Sequence, residues 1–193
     1  MLLNVNEMLN VNEISKYLKG NVNGVFHVGV PQDLLQQTEK CQELETYKKL
    51  EIKNIIFFEH MTESYAKLYD MVSKNDNQEL NIRTENIALG HRDNDNQTFL
   101  DKYVEENGIE KGSFNFINID VQGYELEVFK GATETLSDID FIYTKVNTVE
   151  VYENCAKMNE LDEFLGDVYG FKRTWTKLTK GDTWGDALYI KEN

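Results

Sequence analysis

The 193 residues carry 34 acidic and 20 basic side chains, a net charge of −14, with 40% hydrophobic and 11% aromatic content. This is an ordinary globular composition, long enough to enclose a core as a single domain over 1–193, and it argues against wholesale disorder; the negative sum repels phosphate backbones, so a nucleic-acid partner is disfavoured. No run of about 18 apolar residues is present, so no membrane span is expected, and Cys41 and Cys155, without metal-ligand spacing, fit reduced thiols in a cytoplasmic setting.

The chain opens on a near-duplication, Leu3 to Glu7 and Leu9 to Glu13. Residues 1–11 read as a flexible tail ahead of a helix from Glu13 to Lys19, which Gly20 stops. Val25 to Gly29 is a short apolar strand, and Val30 to Leu50 is helical in composition. Asn54 to His60 is a second strand, apolar until Glu59. Ser64 to Ser73 has helical spacing through Tyr65, Leu68, Tyr69 and Val72. Leu80 to Leu89 is the third strand, Gly90 to Gln97 a loop, and Thr98 to Glu106 a helix. Phe114 to Ile119 forms the fourth strand, which ends in Asp120; a tight turn at Gln122-Gly123 leads into a helix running to about Leu136. Asp140 to Val146 is the fifth strand and Glu160 to Tyr169 a helix ended by Gly170. Phe171 to Leu178 and Ala187 to Lys191 close the chain, and their short connection favours an antiparallel hairpin.

Alternating strands and helices predict an α/β fold with a mostly parallel seven-stranded sheet, helices on both faces and a C-terminal antiparallel hairpin strand. That is the Rossmann-like arrangement of class I S-adenosylmethionine-dependent methyltransferases; flavodoxin-like and dehydrogenase folds share the alternation. In such sheets ligands meet the carboxyl ends of the strands, so the polar groups there are the candidates. Gly29 follows the first strand and lets backbone approach a ligand; His27 beside it also reads as a satisfied histidine of a half-buried strand. Glu59 ends the second strand, where a carboxylate accepts hydrogen bonds from ribose hydroxyls or is a solvated loop acid. Asp120 is a strand-end acid or a helix cap. Lys145 to Tyr152 follow the fifth strand, and Trp184-Gly185-Asp186 precede the last. The sequence contains no GxGxxG, phosphate loop, HExxH or GxSxG, and its three histidines are scattered through the first half.

Ile119-Asp120-Val121-Gln122-Gly123-Tyr124-Glu125-Leu126-Glu127-Val128 with Lys130-Gly131-Ala132 resembles the IDVEGaELeVLkGa signature of the FkbM-type methyltransferases. Tyr143 to Tyr152 resembles that family's YTEVNTEEVY segment, and Trp184 to Tyr189 its closing WGDAly. Gly24 to Gly29 is similar to a GvFHIG first strand, and Cys41-Gln42-Glu43-Leu44 with Tyr47 to the CEEL…Y that follows it. The likeness covers roughly residues 12 to 191. The chain departs from it in an apparent insertion, Val30 to Thr38, and in Gln122, Lys145 and Val149, where the family carries glutamates.

The resemblance implies S-adenosylmethionine as cofactor and methyl transfer to oxygen on a sugar or glycan acceptor, such as a deoxyhexose, by a protein working with or fused to glycosyltransferases. It implies Asp120 as the base or the holder of the acceptor hydroxyl, alone or through a divalent metal ion, with Glu150 and Asp186 next in line. Lys145 beside them is a catalytic candidate whose ordinary reading is a surface or salt-bridged lysine. Phe26, His27, Val28 and Gly29 would pass under the methionine part of the cofactor, Glu59 and His60 would meet the ribose, and Asn86 and Ala88 the adenine, with Asp120 and Val121 completing that site. Gln122, Tyr124, Asn147, Tyr152 and Trp184 would line the acceptor pocket. An RNA 2'-O-methyltransferase and a non-catalytic relative are the competing readings.

Overall fold

The computed structural model describes residues 11–30, 41–74, 79–94, 97–179 and 181–192. The tail expected over 1–11 and the insertion after Val30 lie almost wholly outside them; Val11 is already helical. Seven strands form one sheet: β1 (Gly24–Val28), β2 (Asn54–Phe58), β3 (Asn81–Glu85), β6 (Phe116–Ile119), β7 (Phe141–Asn147), β8 (Phe171–Leu178) and β9 (Trp184–Lys191). Their order is β3-β2-β1-β6-β7-β9-β8. The first five are parallel, and β9 runs antiparallel between β7 and β8. The order reverses between β1 and β6, so the crevice where ligands bind in this class of sheet opens past Val28 and Ile119.

Alternation along the central strands divides the core in two. Phe26, Val28, Ile117, Ile119, Ile142 and Val146 face α4 (Leu100–Glu106), α5 (Glu125–Lys130) and α6 (Met158–Tyr169). Val25, Ile55, Phe57, Phe116 and Tyr143 face α1 (Val11–Leu18), α2 (Gln42–Lys49) and α3 (Thr62–Lys74). Helices therefore cover both faces, and the central strands are apolar on both sides, as a parallel sheet requires. Among the described residues no helix is long and apolar enough to cross a membrane.

The last strand begins at Trp184 rather than Ala187, so Trp184 and Asp186 lie within it rather than before it, and two further elements differ from expectation. The third strand breaks at Asn86, whose side-chain amide donates to the Glu59 carbonyl (2.8 Å) and the His60 carbonyl (3.1 Å). This pulls the chain over the end of β2. Ala88–Leu89 (β4) then pairs in parallel with Gln97–Thr98 (β5) in a separate small ladder. The helix after Asp120 ends at Lys130 rather than near Leu136. Asp101 on α4 accepts bonds from the Thr133 hydroxyl, the Glu134 and Thr135 amides and the Thr135 hydroxyl, so these donors dock the start of a separate 3₁₀ turn (Thr135–Asp138) onto α4 instead of extending α5.

At the crevice Gly29 has φ +82°, and a Cβ there would overlap the Asp120 carbonyl oxygen. The strand ends of β1 and β6 are in contact at that point. Gly29→Ala should therefore lose more than about 2 kcal/mol of stability, from left-handed strain plus the overlap; equilibrium denaturation of the purified variant checks it.

Candidate functional site

Asp120 leaves β6 at the switch point and faces two residues brought from neighbouring strands. Lys145 and Asp186 sit directly opposite each other in the β7–β9 register. The Lys145 ammonium is 2.8 Å from Asp186 Oδ1 and 3.8 Å from Asp120 Oδ2, and it lies 5.0 Å from the Trp184 ring centroid. Asp186 is buried, whereas Asp120 and Lys145 each keep 22% side-chain exposure toward the crevice. Burial pushes the Asp120 carboxyl above the ordinary carboxylate range; Lys145 opposes that shift and Asp186 adds to it. For Lys145 burial alone would lower the pKa, but Asp120 and Asp186 outweigh it, and the ammonium stays charged well into alkaline conditions. Lys145 is thus a salt-bridged lysine, and its place between two carboxylates puts it at the crevice rather than on the outer surface.

The turn after Asp120 is shaped by Glu125. Its buried carboxylate accepts bonds from the Gly123 amide (3.1 Å) and the Val121 amide (3.3 Å). That leaves Gln122 exposed at φ 53°, pointing the loop outward. Tyr152 packs against Gly123, where a Cβ would lie 3.1 Å from its own. Its phenol pKa is raised by burial and by the Asp120 and Glu125 charges nearby. Exposed Tyr152 (44%) is near enough to Asp120 to feel its charge and the half-buried Trp184 lies across Lys145, whereas exposed Tyr124 (41%), at the start of α5, has its ring toward Gly90. Asn147 is buried, opposite Trp184 in the ladder.

On the other side of the crevice Glu59 is buried at the end of β2. Its carboxylate accepts from the Met61 amide (2.7 Å) and the Val30 amide (2.9 Å), and exposed His60 lies 3.5 Å away. A carboxylate has about four acceptor positions. Two amides leave capacity for two further donors, the number a ribose diol presents, so these residues fit an adenosyl cofactor. Asn86 and Ala88 lie just past this corner, at the chain break described above. Val121 borders the crevice half-buried, and Phe26 and Val28 point into the core beneath it.

Two predicted residues are placed elsewhere. His27 is buried on the opposite side of β1 from Phe26, its ring bonded to Tyr47 of α2 and to the Gly29 carbonyl, so it reaches the crevice only through backbone. Glu150 accepts from the Asn154 amide (2.8 Å) in the exposed loop after β7; among the described residues no ion pair joins it to Asp120 or Lys145. Glu43, which the sequence marks only as part of the CEEL-like segment, also bears on the site. It is buried on α2, its carboxyl pushed up by burial and further by the charge of Asp120. Among the described residues no group of three or more His, Cys, Asp or Glu side chains is placed to hold a metal ion.

Comparison with known proteins agrees with this architecture. Residues 58–173, more than half of the chain, match the model of the methyltransferase FkbM domain. A 66-residue segment is 44% identical to the 2-O-methyltransferase NoeI of Sinorhizobium fredii (strain NBRC 101917 / NGR234), covering 34% of this chain and 26% of that relative. The fold superposes on the FkbM methyltransferase of Methylobacillus flagellatus KT with a TM-score of 0.61 at 14% identity, covering 87% of this chain and 44% of that one. It also superposes on M. capricolum TrmK in complex with S-adenosyl-homocysteine (TM-score 0.59, 10% identity, 97% and 69% covered). A further match is magnesium protoporphyrin IX methyltransferase from Synechocystis PCC 6803 with bound SAM (0.58, 10%, 94% and 78%). The chain thus covers well under two thirds of the length of NoeI and of the Methylobacillus flagellatus protein. With the family model covering Glu59, Asp120 and Lys145, and the strand order of class I methyltransferases around them, the chain belongs to the FkbM methyltransferase family.

Proposed function

We propose that this chain binds S-adenosylmethionine and methylates a hydroxyl of a sugar, on a glycan or a free deoxyhexose. When bound, S-adenosylmethionine supplies a methyl group on a sulfonium, already a good leaving group. The protein's task is then alignment and removal of the hydroxyl proton. The observation that carries the reading is the Asp120–Lys145–Asp186 arrangement at the switch point. Burial makes Asp120 a stronger base than an exposed aspartate, and the ammonium held by Asp186 opposes that shift and so favours the ionised form. In this reading Gly29 and Glu59, at the ends of β1 and β2, would contact the cofactor, and Asp120, at the end of β6, would meet the acceptor hydroxyl.

Oxygen as the acceptor atom is supported by the 2-O-methyltransferase name of the NoeI relative. A sugar is supported by the family resemblance and by Tyr152 and Trp184 beside Asp120 and Lys145, since aromatic faces pack well against sugar rings. A net charge of −14 favours a neutral acceptor over a nucleic acid. In this reading the glycosyltransferases that build the acceptor are the working partners.

The test is incubation with methyl-labelled S-adenosylmethionine and a panel of neutral sugars, glycans and RNA, with EDTA and separately with added Mg²⁺ or Mn²⁺. Label in a sugar methyl ether is the expected result, and the two arms decide whether a divalent ion takes part. Label in RNA alone, or none together with no heat on titrating S-adenosylhomocysteine, would overturn the proposal. Glu59→Gln should weaken S-adenosylhomocysteine binding by roughly 10–100-fold, the worth of hydrogen bonds to a charged acceptor. Calorimetric titration measures it.

A further inference from the structure

The geometry points to His27 as a positioning residue for the cofactor site, acting on Glu59 through the Gly29–Val30 peptide rather than by touching a ligand. The inference rests on the cofactor site proposed above. His27 and Asn118 are register partners on β1 and β6, and both are buried polar residues in otherwise apolar strands. The Asn118 amide donates to the Tyr47 hydroxyl (2.8 Å) and also lies 3.2 Å from His27 Nδ1. The Tyr47 hydroxyl is 2.6 Å from His27 Nδ1, and His27 Nε2 is 2.9 Å from the Gly29 carbonyl. A carbonyl only accepts, so Nε2 carries the ring proton and donates it; Nδ1 is then the acceptor for the Tyr47 hydroxyl.

The same peptide continues the chain of bonds. Its carbonyl belongs to Gly29, and its N–H, on Val30, donates to Glu59 Oε2 (2.9 Å). The Gly29–Val30 peptide is therefore held at both ends, by an imidazole beneath the sheet and by the carboxylate at the crevice. Gly29, at φ +82°, would let that peptide rotate if the carbonyl were released. Rotation would withdraw one of the two amides that orient Glu59. Burial lowers the His27 pKa to about 4, so the ring is neutral at physiological pH and the direction of the bonds is fixed. Bonds that all run one way polarise one another, which strengthens the clamp at its far end.

Two substitutions separate the ends of the ring. His27→Gln can keep a donor near the Nε2 position and so reach the Gly29 carbonyl; His27→Asn keeps an acceptor near Nδ1 for Tyr47 and loses the donor. Both are polar, and both leave the imidazole volume unfilled. S-adenosylhomocysteine affinity should stay within about 3-fold in the Gln variant and fall about 10-fold in the Asn variant, the scale of one buried hydrogen bond. Without any cofactor, the Val30 amide should exchange its hydrogen about 10-fold faster in the Asn variant only, relative to the core amide of Ile117. Equal affinities in the two variants, with Val30 protection unchanged in both, would overturn the inference and leave His27 a packing residue. If the unaltered protein gives no heat with S-adenosylhomocysteine, the cofactor reading fails, and Val30 exchange still decides whether the clamp exists.

Discussion

Asp120→Asn should lower kcat by about 10²–10⁴-fold, the usual worth of a positioned general base, with S-adenosylhomocysteine affinity changed by less than about 3-fold, well under one hydrogen bond. Asparagine has the same shape, and the backbone bond from the residue 120 amide to the Val28 carbonyl (2.9 Å) survives the change. Lys145 keeps Asp186 at 2.8 Å, so the ammonium is not orphaned. What disappears is the ability to take a proton. A loss confined to KM would instead mark Asp120 as a binding group, since only interactions special to the transition state appear in kcat.

The pH dependence carries a second signature. Burial raises the folded-state pKa of Asp120. As pH falls through that raised value the carboxylate takes a proton and can no longer accept one from a hydroxyl. The acid limb of the kcat profile should therefore lie above the range of an exposed aspartate, and it should vanish from the residual activity of Asp120→Asn. Stability moves the opposite way. The folded state binds the Asp120 proton more tightly than the unfolded chain does, so this contribution is present below the unfolded pKa and is lost as pH rises through the folded one. Asp120→Asn should flatten that part of the stability curve, as denaturation at a series of pH values would show.

Much of this frame was legible in the chain itself. Apolar, β-branched runs of four to six residues mark the buried strands, and the acid closing each of two runs, Glu59 and Asp120, stands at the carboxyl ends of strands, where ligands meet sheets of this class. What could not be read was the third dimension of polar pairing. Lys145 and Asp186 are 41 residues apart, and only the antiparallel placement of β9 beside β7 sets them opposite each other. His27 and Asn118 each interrupt an apolar strand, a signal visible in the sequence, yet their common partner Tyr47 comes from a helix. The break of the third strand at Asn86 and the early end of α5 also depended on distant acceptors, the carbonyls past β2 and the Asp101 carboxylate. Local propensity favours continuing the element in both places; tertiary hydrogen bonds redirect the chain.

Lys145→Met is the complementary perturbation, and it should alter stability and catalysis together. Methionine keeps most of the apolar stem beside Trp184 but removes the charge between Asp120 and Asp186. Removing one partner of a buried pair is destabilising, and Asp186, at 5% side-chain exposure, loses the ammonium 2.8 Å away, so the change should cost about 3 kcal/mol near neutral pH. Without the ammonium the burial shift at Asp120 is no longer opposed, and Asp186 loses its charged partner, so both carboxylates should be protonated more readily in the folded state as their pKa values rise. Their contribution to stability is lost as pH rises through the raised values, so the deficit should shrink when pH falls and the groups become neutral. Because Lys145 now lowers the Asp120 pKa, its removal should also carry the acid limb of the kcat profile to higher pH. Lys145→Arg keeps the charge and should recover most of the stability, with the limb returned toward its original position. Denaturant titrations near pH 5 and pH 8, paired with kcat across the same range, separate this account from simple loss of packing. A deficit equal at both pH values, with an unmoved acid limb, would show that the ammonium tunes neither carboxylate and that Lys145 serves only to join β7 to β9.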